Sequence, residues 1–138
     1  MKKVFHFESS RERYQCDAAI RWCFDSRFDL AFRKFLKRIG VLYSDPIKIA
    51  GGAKSLASPE LETDREFVLE QIRKSISLHG TKPVILMVHS DCGAYGGLAG
   101  FGGDARAEAN HHEGTGSRRC KSFGTHPRTR SAGIFCGL

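Results

Sequence analysis

The sequence predicts an α/β fold, a parallel β-sheet core flanked by helices. Three observations predict it. Apolar runs of strand character alternate with helical apolar periods in the order strand, helix, strand, helix, strand. Pro83 to Val88 is apolar throughout, as expected of a parallel strand covered on both faces. Two clusters of polar and sulfur residues stand directly after strands, where ligands gather in open α/β sheets.

The first strand is Ala18 to Phe24, ending at Asp25-Ser26-Arg27. Phe28, Phe32, Phe35, Leu36 and Ile39 follow at helical spacing, with Lys34, Lys37 and Arg38 left for solvent, and Gly40 is placed to end this helix. Ile47 to Ala50 reads as a short strand running into Gly51-Gly52. The next helix begins after Ser58-Pro59-Glu60 or at Thr63-Asp64-Arg65-Glu66, where Thr and Glu can cap free backbone amides. Its core stripe is Phe67, Val68, Ile72 and Ile76, and it closes near His79-Gly80. After the Pro83–Val88 strand come His89-Ser90-Asp91-Cys92-Gly93, a glycine-rich stretch, and a helix over Asp104 to Glu113.

The 138 residues fit one domain, a metal-binding unit over 1–113, followed by a basic segment over 114–138. That segment has no strand or helix period and no evident late strand, since Ile134-Phe135 is very short. A low-complexity tail and an ending replaced by a shifted reading frame both account for its composition. The formal charge of +7 suggests nucleic acid, but five of the basic residues and no acidic ones lie from Gly114 onward. The remainder, 17 basic against 15 acidic, is nearly balanced and argues against a nucleic-acid partner. The longest apolar run, Val84 to Val88, is too short to cross a membrane, and Met1-Lys2-Lys3-Val4-Phe5-His6 lacks the apolar region of a secretion signal. The expected location is cytoplasmic. Five cysteines without a tight framework argue against a disulfide scaffold and, in a reducing compartment, for metal binding or thiol chemistry. No Cys-x-x-Cys pair supports a redox role.

Zinc takes thiolate, imidazole and carboxylate ligands, and catalytic sites keep one position open. His89 and Cys92, three apart in a turn after a strand, can face one ion, and Cys23 at another strand end supplies a third ligand. Asp25 and Arg27 beside it can form a two-pronged ion pair. Cys23-Phe24-Asp25-Ser26-Arg27 matches the Cys-x-Asp-x-Arg motif of β-class carbonic anhydrases, and His89-Ser90-Asp91-Cys92-Gly93 matches their His-x-x-Cys-Gly motif. Order, spacing and flanking elements match as well. The chain therefore resembles a short member of that family, from about Ala18 to Leu98.

The resemblance implies a β-carbonic-anhydrase-like fold, Zn²⁺ held by Cys23, His89 and Cys92, and reversible hydration of CO₂ to bicarbonate by zinc-bound hydroxide. It makes Asp25 a gate that swings onto the metal in closed family members and accepts a hydrogen bond in open ones. Arg27 then holds Asp25 away from the ion. Gly51-Gly52 loosely resembles the family's glycine-bearing loop. The family's pocket draws on two subunits, so a homodimer or higher homo-oligomer is expected, with a small-molecule substrate and no membrane partner. The same site could hydrolyse COS or CS₂, and a zinc-binding relative without turnover is the other alternative. For His6, His79, His111, His112 and His126 a plain structural role is the expectation, and Cys16, Cys120 and Cys136 have no matching partners.

Overall fold

The computed structural model describes residues 5–122, 127–130 and 133–137, with side chains over 5–114. Its strands are β1 (Ala18–Trp22), β2 (Ser44–Lys48), β3 (Pro83–Leu86), β4 (Pro127–Arg130) and β5 (Gly133–Gly137). Its α-helices are α1 (Asp29–Arg38), α2 (Lys54–Ala57), α3 (Glu62–His79) and α4 (Ala105–Ser122). The strands form one sheet in the order β2-β1-β3-β5-β4. β1 runs parallel to β2 and to β3, with Ile20 opposite Pro46 on one side and Ile85 on the other. β5 pairs antiparallel with β3, and β4 antiparallel with β5. The α/β class expected from the sequence is therefore present: three parallel strands with helices around them.

Side-chain alternation along β1 builds two cores. Ala18, Ile20 and Trp22 point to one face, where they meet Phe32 and Leu36 of α1 together with Ile85 and Met87. Trp22 and Phe32 stack there with ring centroids 5.3 Å apart. Ala19, Val84 and Leu86 point to the other face and pack against Leu56 of α2 and Val68 and Ile72 of α3. All five residues of β1 are buried, which is why the strand reads as a continuous apolar run.

Arg21 is the exception within that run. Its side chain is fully buried on the α2 face, where Nη1 donates to Ile47 O at 2.6 Å and Nη2 to Ser55 Oγ at 3.0 Å. Its Nε has no partner among the described residues. Burial pulls its pKa down to about 10.

Several boundaries differ from the sequence expectation for physical reasons. β1 stops at Trp22, two residues early, because Cys23 and Phe24 turn into the loop that carries Asp25. β2 starts at Ser44 and includes Pro46, which an edge strand tolerates because one side of it has no neighbour among the described strands. The cap of α3 is not Thr63: Asp64 accepts from the backbone N–H of Leu61 at 3.3 Å, and Glu62 already lies in the helix. Within the expected stripe of α3, Val68 and Ile72 are buried, but Phe67 is 59% and Ile76 37% exposed. Ser75 and Leu69 turn toward the sheet side instead. Gly40 follows the end of α1 and Gly80 that of α3, both in the left-handed conformation that glycine adopts at helix ends.

From Gly114 onward the sequence leads one to expect neither regular structure nor a late strand. α4 instead runs on to Ser122, and β5 supplies a strand along β3. Weak helix formers such as Gly114, Thr115, Gly116 and Ser117 hide the helix. A strand of Gly-Ile-Phe-Cys-Gly depends on pairing with its neighbour more than on its own residues. Phe123 to His126, Ser131-Ala132 and Leu138 lie outside the described residues.

Candidate metal centre

The ends of β1 and β3 lie side by side, so the loops that leave them are brought together. The main chain continues their pairing past the strands: Met87 N donates to Arg21 O at 2.9 Å. Gly52 then threads between them with φ +54°, so close that a Cβ there would strike the Met87 carbonyl. Only glycine fits. Cys23 leaves β1 on this shelf, and His89 and Cys92 leave β3 beside it.

The donor atoms of Cys23, His89 and Cys92 lie within 4.8 Å of one another, and all three residues are buried. They form a group that can hold a metal ion. His89 Nδ1 lies 2.8 Å from Ser90 O. A carbonyl only accepts, so Nδ1 carries the proton and Nε2 keeps its lone pair. That Nε2 is buried and has no hydrogen-bond partner among the described residues. Trp22 and Phe28 flank the ring, at 5.7 and 4.5 Å between centroids, and fix its plane. A buried, lone-pair-bearing nitrogen beside two thiols costs stability unless something electrophilic meets it. The residues fit a borderline-soft divalent ion such as zinc.

Burial pushes the Cys92 thiol above its ordinary range, and the Ala94 backbone amide works in the opposite direction. Cys92 also starts a 3₁₀ turn over Gly93–Tyr95, its carbonyl accepting from Tyr95 N at 2.9 Å.

Asp25 and Arg27 stand at the rim. Arg27 Nε and Nη2 reach Asp25 Oδ2 at 3.0 and 2.7 Å, and the Arg27 backbone N–H reaches Oδ1 at 3.0 Å. These bonds from Arg27 hold the Asp25 carboxyl down to about 2. Oδ2 of Asp25 also lies 3.8 Å from His89 Nε2, so the carboxylate faces the donor group while the arginine grips it.

Asp91 lies inside the His-x-x-Cys-Gly motif but is not among the site residues the sequence predicts. Its Oδ2 takes Arg27 Nη1 at 3.3 Å, its carbonyl takes Nη2 at 3.2 Å, and its Oδ1 takes Leu98 N at 3.0 Å. The Leu98 amide and then Arg27 hold its pKa below the usual carboxylate range. Asp91 has φ +52°, a left-handed conformation that Asp adopts more readily than most residues. Its backbone N–H donates to Glu108 Oε1 at 2.7 Å, and Glu108 on α4 is 2% exposed. Glu108 has no sequence signal. Only the tertiary contact of α4 with the His89–Cys92 turn reveals it.

Cys23, Asp25, Arg27, Asp91 and Cys92 line one cleft of about 720 Å³, with Gly51 and Gly96 on its walls. His89 lies buried behind that surface. The model of a protein family, "Putative carbonic anhydrase", matches residues 14–113. The chain belongs to that family. The match contains every residue of the two carbonic-anhydrase motifs, from Cys23 to Gly93. No similar curated protein and no similar solved structure was found.

Among the histidines and cysteines outside this centre, Cys16 and His79 come together with Asp45 in a second group of potential ligands. His111 and His112 pack against Tyr95 and Phe101. His6 is exposed beside Glu8. The side chains of Cys120, His126 and Cys136 lie outside those described.

Among the described residues no helix is long and apolar enough to cross a membrane.

Proposed function

We propose that the chain is a zinc-dependent carbonate dehydratase, interconverting CO₂ and water with bicarbonate and a proton. Cys23, His89 and Cys92 hold the zinc, and Asp25 and Arg27 act at the rim. The observation that carries this reading is the unpartnered Nε2 of His89, aimed into a group with two thiols and facing the Asp25 carboxylate. Membership of the family supports the same reaction.

When bound, the ion supplies a Lewis acid that lowers the pKa of a water ligand toward about 7. The chain does the rest. The Asp25 carboxylate, ionised by its contacts with Arg27, is an acceptor for the O–H of water entering the cleft. By accepting that hydrogen bond it turns an oxygen lone pair toward CO₂. Arg27 uses one edge of its guanidinium on Asp25 and the other on Asp91, so Asp25 is held at the rim and cannot rotate inward. Trp22 and Phe28 pack on the His89 ring, which keeps bulk water from that side of the site. CO₂ needs no charged anchor, and the cleft offers an approach over Gly51 and Gly96.

A cytoplasmic setting is proposed, since five cysteines without a tight framework fit a reducing compartment. A homodimer is proposed on the exposed Phe24, 63% open on the cleft, and Leu30 of α1, 64% open, and sedimentation at working concentration tests it. The proposed metal-binding unit spans 1–113 and includes every site residue.

Stopped-flow CO₂ hydration on zinc-loaded protein, with Cys92→Ser alongside, tests the reaction. Turnover that disappears in Cys92→Ser is the expected result. Silence with zinc bound would overturn CO₂ as the substrate and turn the search to COS or CS₂.

A further inference from the structure

The N-terminal ends of the parallel strands carry a second constellation, far along the sheet from the first. Cys16 precedes β1, Asp45 is the second residue of β2, and His79 closes α3 just ahead of β3. Cys16 Sγ lies 3.2 Å from Asp45 Oδ1, and His79 Nδ1 lies 2.6 Å from Asp45 Oδ2. The three donor atoms fall within 4.8 Å of one another. We propose that Cys16, Asp45 and His79 form a second divalent-metal site, of zinc-like preference, separate from Cys23, His89 and Cys92.

Four features support such a site. The donors are one sulfur, one carboxylate oxygen and one imidazole nitrogen, the set that borderline ions take. They come from three separate segments whose backbones are tied together, since Cys16 N donates to His79 O at 3.1 Å and Asp17 N to Tyr43 O at 2.8 Å. The ligands are already oriented by neighbours: Ser75 Oγ donates to Asp45 Oδ2 at 2.7 Å and contacts Thr81 Oγ1 at 2.9 Å, and Tyr14 stacks on the His79 ring at 4.3 Å. The side chains of His79 and Asp45 keep 23% and 21% exposure, which leaves a path for an ion and a water ligand.

A purely hydrogen-bonded hub on Asp45 is the competing account. It accounts for Ser75, His79 and Cys16 as three donors to one carboxylate; a bound ion would take the place of the His79 Nδ1 and Cys16 Sγ protons, since a thiol is a weak hydrogen-bond donor and, deprotonated, a strong metal ligand.

The test counts metal on the full chain. Metal-free protein is titrated with Co²⁺ and with Zn²⁺, freed of excess by gel filtration, and analysed for bound metal. Wild type is expected to retain two equivalents. His79→Ala and Cys16→Ser are each expected to retain one, and Cys92→Ser to lose the other. The Co²⁺ thiolate absorption should fall in Cys16→Ser while the contribution lost with Cys92→Ser persists. Because Cys16 is buried, His79→Ala, with its ring partly open to solvent, serves where Cys16→Ser fails to fold. One equivalent that is lost in Cys92→Ser and unchanged in His79→Ala overturns the second site and leaves the first standing. One equivalent lost in His79→Ala and unchanged in Cys92→Ser would do the reverse.

Discussion

Arg27 grips Asp25 through both its side chain and its own backbone amide, with Nη2 2.7 Å and the backbone nitrogen 3.0 Å from the two carboxylate oxygens. The carboxylate is thus fixed by three N–H groups of a single residue while one oxygen stays 3.8 Å from His89 Nε2. In the proposed mechanism, removing the guanidinium would free Asp25 to rotate toward the thiols, where its carboxylate would compete with water for a bound ion. Arg27→Ala is expected to keep its metal, shown by metal analysis, and to lose on the order of 10²-fold in CO₂ hydration, the scale of a misplaced catalytic group. Unchanged activity would remove Arg27 from the mechanism.

Cys92 is 2% exposed and contributes one of two sulfurs to the donor group. Cys92→Ser should weaken metal binding by more than roughly 100-fold, beyond the cost of losing an outer partner of a ligand. Competition with a chromophoric chelator measures it. Wild-type affinity in the variant would refute the ligand assignment.

Glu108 supports the His89–Cys92 turn by accepting the Asp91 N–H. Glu108→Leu leaves that N–H without its acceptor in a left-handed residue, a loss of about 1–3 kcal/mol in urea unfolding. Glu108→Gln keeps an acceptor oxygen and should cost less. Equal losses in the two variants would show that packing, not the hydrogen bond, is what Glu108 contributes.

Acid should unfold the metal-free protein early. Asp25 is held down chiefly by Arg27, Asp91 by the Leu98 amide and Asp17 by the Tyr43 amide. In Asp45 burial alone would raise the pKa, but bonds from His79, Ser75 and Cys16 outweigh it and the net direction is down. Each group binds fewer protons folded than unfolded, where its pKa is 3.8. Their stabilisation is therefore complete above about pH 4 and is lost as pH falls from there toward about 2. Thermal melts between about pH 6 and pH 2 should show this drop. Asp45→Asn should flatten it, and an unchanged slope in that variant would exclude Asp45 as a contributor.

Arg21 is a buried cation whose described partners are the Ile47 and Trp22 carbonyls and the Ser55 hydroxyl, with no carboxylate among them. Arg21→Leu fills the site without a charge and is expected to raise stability by about 1–4 kcal/mol. That corresponds to a rise in Tm of about 2–4 °C per kcal/mol for a chain of this size. A lower Tm would mean that the bonds to Ile47 O and Ser55 Oγ outweigh the cost of burying the charge.

How far the sequence is legible depends on the physics of each signal. β1 and β3 announce themselves because burial on both faces demands continuous apolar runs. α1 is legible from Phe32 and Leu36, since a single face meets the sheet. α3 misleads because Phe67 and Ile76 have the right spacing but stay exposed, while Val68 and Ile72 pack into the core on the sheet. β5 escapes a sequence reading because its pairing with β3 is a long-range property that no local run encodes. Cys23, His89 and Cys92 are legible through short motifs at strand ends. Glu108 and the Cys16–Asp45–His79 group are not, because each depends on contacts between segments that carry no shared motif.

Pro46 sits in β2, at the outer margin of the sheet. A proline there withholds the amide that an incoming strand would need, so a second copy cannot extend the ladder across this border without a gap. Self-association by strand addition on that side is disfavoured by one residue. On that side the proposed homodimer would be built by docking side chains rather than by lengthening the sheet, and Phe24 and Leu30 are exposed on loop and helix.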